Sequence, residues 1–350
     1  MRRKIIYGVI GALLLVLIIA ASQFLSSATN FSEKSKYLYI KTNKASYADL
    51  LQTIKDSQLV KSPWAFDFVA KQLNLEQKIK PGRYEIKNGM SVLSIVRLIR
   101  NGRQAPVKLV ITKLRTKEDL ATFIGKKFEC DSASLIAFLN NPDSLRTYEL
   151  DTSTAMTGII PNTYELFWNS NASVIMKKLF SEKKNYWNEE RKKLAAERKL
   201  NETTAYILAS IVEEETRDNE EKDTIASVYL NRYYKGMRLQ ADPTVKFALR
   251  DFGLKRIYEK HLAVESPYNT YRNAGLPPGP ICTPSIQTLE AVLHAPSTNY
   301  LYFVAKSDFS GRHVFSETYE QHLRYAKEFQ RALDKQQQIK AAKEDIGSQP

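Results

Sequence analysis

Apolar residues run unbroken by charge from Ile5 to Leu25 and never again at that length, and this contrast divides the chain before any chemistry is considered. The run is long enough to cross a hydrocarbon core of about 30 Å. Met1-Arg2-Arg3-Lys4 stands before it, and basic residues on that side favour a cytoplasmic N-terminus with the rest of the chain outside. A cleaved signal peptide is the rival reading. The run exceeds the usual apolar core of about 7–15 residues, and no A-x-A cleavage site follows it. The expectation is therefore cytoplasmic residues 1–4, a single transmembrane helix over 5–25 and a polar tether over 26–36.

Shorter periods follow. Tyr37 to Thr42 alternates like a strand, while Tyr47 to Asp56 and Ser62 to Leu73 carry helical spacing. Pro81-Gly82 turns the chain into a strand over Arg83 to Lys87. Ser91 is placed to cap a helix whose apolar positions Val92, Ile95, Val96 and Ile99 share one face, with Gly102 just past its end. Val107 to Thr112 reads as another strand. Residues 37–112 thus form a small αβ domain that resembles a LysM-like glycan-binding module, with a plain packing domain as the alternative.

From Leu114 helices dominate, and residues 113–333 read as a second, mainly helical mixed α+β domain. Thr116-Lys-Glu-Asp119 has the form of a capping box, and Asp131 or Ser132 is placed to cap a helix over Ala133 to Leu139. Asn171 to about Lys199 reads as one long charged helix. Tyr300 to Ala305 and Arg312 to Ser316 read as a β-hairpin presenting His313. Residues 334–350 turn to Gln, Lys, Ala and Asp, which predicts a fraying helix and then a disordered tail. The fold class is α+β.

One helix breaks its own pattern. Read from about Thr204, its buried stripe is Leu208, Ile211 and Val212, and the next position on that face is Glu215. A carboxylate that continues a core stripe is desolvated, which raises its pKa and lets it hold a proton near neutral pH. Glu213 and Glu214 point elsewhere. The competing reading is a helix end at which three glutamates face water.

Composition narrows the partners. Fifty-two Lys and Arg against 38 Asp and Glu give a net charge of +14. Nucleic acid is the usual reading of such a balance, but an extracytoplasmic chain meets phospholipid headgroups and acidic wall polymers instead. Two cysteines, Cys130 and Cys282, leave open one long-range bridge or two unpaired residues. His261, His294, His313 and His322 form no metal-ligand spacing, so neither a metal nor another cofactor is expected. Asn171-Ala-Ser173 and Asn201-Glu-Thr203 fit a glycosylation pattern too common to carry weight.

Three polar stretches suit a sugar polymer. Asn231-Arg232 is followed, beyond Gly236, by Leu239-Gln240-Ala241-Asp242-Pro243-Thr244, where Asp242-Pro243 has the order of a helix cap and a first-turn proline. Ser266-Pro-Tyr-Asn-Thr-Tyr271 is dense in hydroxyls, rings and an amide, and leads into the restricted backbone of Gly275-Leu-Pro-Pro-Gly-Pro280. The third is the hairpin.

Taken in order, Ala209-Ser-Ile-Val-Glu-Glu-Glu-Thr216, Val228-Tyr-Leu-Asn-Arg232, Gly236-Met-Arg-Leu-Gln-Ala-Asp-Pro-Thr-Val245, Ser266-Pro-Tyr-Asn-Thr-Tyr271, Gly275-Leu-Pro-Pro-Gly-Pro-Ile281 and Tyr300-Leu-Tyr-Phe-Val304 closely resemble the endolytic murein transglycosylases of the MltG (YceG-like) family. The resemblance covers about Tyr37 to Tyr325. It implies lytic cleavage between N-acetylmuramic acid and N-acetylglucosamine in nascent peptidoglycan, leaving a 1,6-anhydromuramyl end. It maps the catalytic glutamate onto Glu215, and assigns Asn231, Gln240, Asp242, Tyr268 and Asn269 to substrate binding, with Tyr271 as a stacking platform. It places the chain in a bacterial inner membrane, with peptidoglycan strands as partner and peptidoglycan synthases as an open candidate. The chain departs from the pattern at Asn162, where aspartate is expected, at Glu214, where lysine is common, and at Thr283, where Asn-Pro usually follows Cys282. A conventional hydrolase, with Asp242 as second carboxylate, and a tethered glycan-binding scaffold are the alternatives.

Overall fold

The computed structural model describes residues 26–347, with side chains to residue 339. The expected transmembrane helix over 5–25 lies outside the described residues. Among those residues no helix is long and apolar enough to cross a membrane. The fold is mixed α+β, with many helices and small two-stranded sheets. Two compact units divide it: one holds the chain to Leu109 with Phe123–Ser132 and Glu165–Ile175, the other holds Val110–Thr122, Ala133–Tyr164 and everything from Met176.

The first unit is built on an antiparallel pair, Ser35–Ile40 with Gly82–Lys87, in which Ile40 faces Gly82 and Ser35 faces Lys87. Between these strands come the helices Tyr47–Asp56 and Pro63–Gln72, and after them Val92–Arg100. The order follows the sequence pattern closely. Ser91 caps the last helix by accepting from the Ser94 amide, and Val92, Ile95, Val96 and Ile99 are all buried. They join Leu38, Ile40, Leu50, Phe66, Tyr84 and Ile86 in one core, each large side chain worth about 1.5–3 kcal/mol of burial. The strand expected to Thr112 stops at Val110.

The second unit is centred on the helix Glu202–Glu215. Every residue from Ala205 to Val212 is buried, so the helix is apolar on all sides rather than along one stripe. Asn201 starts it with a capping box, its side chain accepting from the Thr204 amide at 2.9 Å while the Thr204 hydroxyl accepts from the Asn201 amide at 2.8 Å. Capping also explains the other glycosylation-like asparagine, since Asn171 accepts from the Val174 amide. Around this helix pack Lys222–Tyr234, Asp242–Leu249 and Ile286–Leu293.

Three expectations need correction. The helix expected over Asn171 to Lys199 is two helices, Ala172–Tyr186 and Glu189–Glu197, because buried Trp187 turns the chain inward and Asn188 caps a new start. The hairpin strands are shorter than expected, Tyr302–Ala305 with His313–Ser316. The tail expected to be disordered continues the helix Tyr319–Gly347, as Gln, Lys and Ala all favour helix. Both cysteines are free, Cys282 being buried.

Candidate active site

The end of the central helix puts three consecutive glutamates into three different surroundings, and none of them simply faces water. Glu213 accepts from Lys222 at 3.1 Å and Ser285 at 2.9 Å, and also from the Thr288 hydroxyl. Burial pushes its carboxyl up, but the Thr288, Lys222 and Ser285 contacts outweigh this and hold it below the ordinary value. Glu214 is ion-paired to Lys113 at 3.2 Å and Arg115 at 3.0 Å, so the residue standing where lysine is common is neutralised by two cations.

Among the described residues Glu215 makes no ion pair. Its Oε1 accepts from the Tyr229 hydroxyl at 2.5 Å, and the side chain borders an open cleft of about 710 Å³. Burial raises its pKa from 4.5 to about 7, against the lowering effect of the Tyr229 hydrogen bond and with a further raising effect from the charge of Asp242. The result is a carboxyl group poised between acid and base at neutral pH.

Of the residues expected to bind saccharide, Gln240, Asp242 and Tyr271 line this cleft with Glu215. Asp242 opens its helix without making a capping hydrogen bond, contrary to the order read from Asp242-Pro243, since Ala241 occupies the cap position. Its carboxylate accepts instead from the Tyr271 hydroxyl at 2.5 Å. Gln240 sits at φ +53°, a left-handed conformation held by its amide donating to the Thr270 carbonyl at 3.2 Å.

Asn231, Tyr268 and Asn269 are not among the cleft's lining. The Asn231 side-chain amide donates to the carbonyls of Thr298 and Tyr300, at 2.8 and 2.9 Å. Asn269 is fully buried, donates to Leu262 and Val264 and accepts from the Tyr271 amide at 3.0 Å, which fixes the loop that presents Tyr271. Tyr268 packs its ring on Phe247, centroids 4.7 Å apart. Gly279 passes so close that an added Cβ would meet the Ser153 carbonyl at 2.1 Å and the Tyr268 hydroxyl at 2.8 Å. These residues build the walls that hold the lining.

The cleft also recruits Tyr229, Phe303 and His322, which sequence reasoning did not select, and Arg232, which it named only as part of a polar stretch. Ile225, Tyr229 and Arg232 follow the i, i+4, i+7 spacing of a buried stripe, so a charge continuing an apolar face marked Arg232 as it marked Glu215. Arg232 is spent on the protein, donating to the carbonyls of Leu301 at 2.6 Å and Leu239 at 2.7 Å. His322 stacks on Tyr302, and burial, aided by the Arg232 charge, holds its ring pKa below the ordinary value. No local signal pointed to His322. His313 pairs with Glu221 at 3.0 Å and is not part of the cleft lining. Among the described residues no cluster of His, Cys, Asp and Glu could hold a metal ion.

Comparison with known proteins points the same way. The model of the YceG-like family matches residues 38–328. A Bacillus subtilis protein named endolytic murein transglycosylase is 28% identical over 293 residues, 79% of this chain and 80% of its own length. A Streptococcus pneumoniae protein of the same name is 26% identical over 306 residues, 78% of this chain and 54% of its own length. A YceG-like protein of Listeria monocytogenes, known from a 2.6 Å crystal structure, superposes with a TM-score of 0.56 at 28% identity, covering 84% of this chain and 99% of that one.

Proposed function

The chain belongs to the YceG-like family, and from that premise we propose that it is an endolytic murein transglycosylase, a lyase that cuts peptidoglycan strands with Glu215 as its single acid and base. The observation that carries the reading is a buried carboxyl at the wall of an open cleft, hydrogen-bonded by a phenol and, among the described residues, in no ion pair.

Tyr229 donates to Oε1 of Glu215, so the carboxylic proton resides on Oε2. That proton passes to the oxygen linking N-acetylmuramic acid to N-acetylglucosamine as the bond to C1 breaks through an oxocarbenium-like state. The carboxylate then takes the proton of the muramyl 6-hydroxyl while O6 bonds to C1. The 1,6-anhydro ring closes, the acid is regenerated and no water is consumed. Asp242 lends negative charge beside the sugar as positive charge develops on it. Gln240 holds saccharide hydroxyl and acetamido groups, and Tyr271 offers its ring as a stacking platform. The apolar run over 5–25 anchors the chain in a bacterial inner membrane with this site outside, and the strand–helix–helix–strand order of the first unit supports a LysM-like glycan contact.

Asp242 in the same cleft favours a second reading, a hydrolase in which two carboxylates activate water. Mass spectrometry of strand ends after digestion of uncrosslinked glycan separates them. Transglycosylation leaves 1,6-anhydromuramic acid; reducing muramic acid ends in its place mean hydrolysis and overturn the proposal.

A further inference from the structure

One helix of the first unit is apolar on the side that should be polar. Along Pro63–Gln72 the core takes Ala65, Phe66, Val69 and Ala70, so an amphipathic helix would turn polar groups outward at positions 64 and 68. Instead Trp64 is 70% exposed and Phe68 43%, their rings stacked 5.9 Å apart across one helical turn. Single exposed apolar side chains are ordinary; an indole laid open beside a second ring marks a contact surface. Lysines bracket the pair. Exposed Lys61 precedes Trp64 by three positions and exposed Lys71 follows Phe68 by three. Lys71 is paired to Asp67 at 2.8 Å, whereas the Lys61 ammonium donates to the Ser27 carbonyl at 3.4 Å and, among the described residues, meets no carboxylate.

Connectivity says what lies beside them. The apolar run ends at Leu25, and the stretch expected as a tether over 26–36 is pinned to this unit near its start. Ala28 and Thr29 are buried; the Ala28 amide donates to the Met90 carbonyl at 2.9 Å, and the Ala28 carbonyl accepts from the Lys61 amide at 2.8 Å. Thr29 bridges Val60, and the Asn30 amide donates to the Leu59 carbonyl at 3.0 Å. Three steps of chain from Leu25 to Ala28 reach at most about 11 Å, little more than a headgroup layer of about 5–8 Å. With residues 5–25 in the membrane, the unit is therefore held against it by the edge that carries Lys61, and the helix with Trp64 begins two residues further on.

We propose that Trp64 and Phe68 rest in the headgroup region of the bilayer that residues 5–25 cross, with Lys61 on anionic lipid phosphates, and that this contact fixes how the first unit stands on the membrane. Trp suits that layer, since its ring is apolar and its N–H polar. A lysine beside it gains from the negative surface of anionic lipid. The inference rests on the proposed anchor, because it needs that run to lie in the membrane. Two rings hold a bilayer too weakly to replace an anchor, as a single acyl chain does, so the contact orients the unit.

The test reconstitutes the full chain in phosphatidylcholine vesicles, with and without phosphatidylglycerol, whose acyl chains are brominated either near the headgroup or near the methyl end. Tryptophan emission is read. Trp187 is buried and Trp168 half-buried, so the Trp64 signal is the difference between wild type and Trp64→Tyr. That signal should be blue-shifted and quenched more by shallow bromines than by deep ones, and more strongly with phosphatidylglycerol. Phe68→Glu, which keeps the indole, should lose the shift and the quenching, and Lys61→Ala should lose the gain from phosphatidylglycerol. Circular dichroism checks that each variant is folded; should Phe68→Glu not fold, Lys61→Ala and the depth comparison in the wild type decide. A chain that floats with the vesicles while its Trp64 stays unquenched overturns the contact alone, and a chain that does not float overturns the anchor and the contact with it. Wild-type quenching in folded Phe68→Glu also overturns it. Unquenched emission that soluble glycan strands shield from acrylamide makes the pair a sugar platform, and shielding that grows with protein concentration marks a second copy; either result overturns the membrane contact.

Discussion

At the scale of the residue, the decisive contrast is between Glu213 and Glu215, two positions apart on one helix. Both are desolvated, but Glu213 meets an ammonium and two hydroxyls while Glu215 meets one phenol, and the two carboxyls are driven to opposite sides of the ordinary value. Raising Glu215 to about 7 means that the folded chain keeps a proton the unfolded chain releases near 4.5. The stability this lends is complete below the unfolded value and is lost as pH rises through the folded one. Glu215→Gln, which mimics the neutral acid, is therefore predicted to melt above the wild type at pH 8 and level with it at pH 4, as thermal unfolding at the two pH values would reveal; an identical offset at both would contradict the account. Tyr229→Phe removes a hydrogen bond that lowers the Glu215 pKa, so the alkaline limb of the pH–rate profile should move upward while kcat falls about tenfold. An unmoved limb would reduce Tyr229 to packing.

At the scale of the element, the Glu202–Glu215 helix is held at both ends. Its start depends on the Asn201–Thr204 box, and Asn201→Ala should cost about 1 kcal/mol in urea unfolding. Its end is fastened by Glu213 to Lys222 and Thr288, which begin or belong to neighbouring helices. Lys222→Met would strand a buried carboxylate and should cost about 3–5 kcal/mol, while adding Glu213→Gln should recover much of that. No recovery would show that Lys222 acts through its packing alone. Such local devices are what the sequence discloses well: Ser91, the Thr116–Asp119 box, and Gly236 at φ +66° all act over three or four residues. The break at Trp187-Asn188 was hidden because charged residues flank it on both sides and the burial of Trp187 is decided by distant partners. Glu215 was legible as a charge on an apolar face. Asn231 and Asn269 are expected to bind sugar from their motifs, but whether an amide serves a sugar or a carbonyl of its own chain depends on how the loops close, and no spacing records that.

At the scale of the whole molecule, the chain distributes its tasks along its length. Residues 5–25 are proposed to anchor it, and deleting residues 1–25 should move it from the membrane fraction to the soluble fraction while peptide-free glycan is still cut; retention in the membrane would place the anchor elsewhere. The departures from the family pattern are accommodated by the surrounding structure: Glu214 is paired to Lys113 and Arg115, and Thr283 donates to the Thr112 carbonyl and accepts from the Leu114 amide at 2.9 Å each. The cleft lining is drawn from the central helix, two of the three helices packed on it, the Tyr271 loop, the hairpin and the C-terminal helix, a gathering that only the tertiary fold accomplishes. All of it serves one carboxyl group. The most direct test of that claim is the rate at which purified wild type and Glu215→Gln, both shown to be folded, cut uncrosslinked glycan strands. Loss of anhydro ends by about a thousandfold or more is predicted, since donor and acceptor of the proton vanish together; a variant that still cuts near the wild-type rate would contradict it.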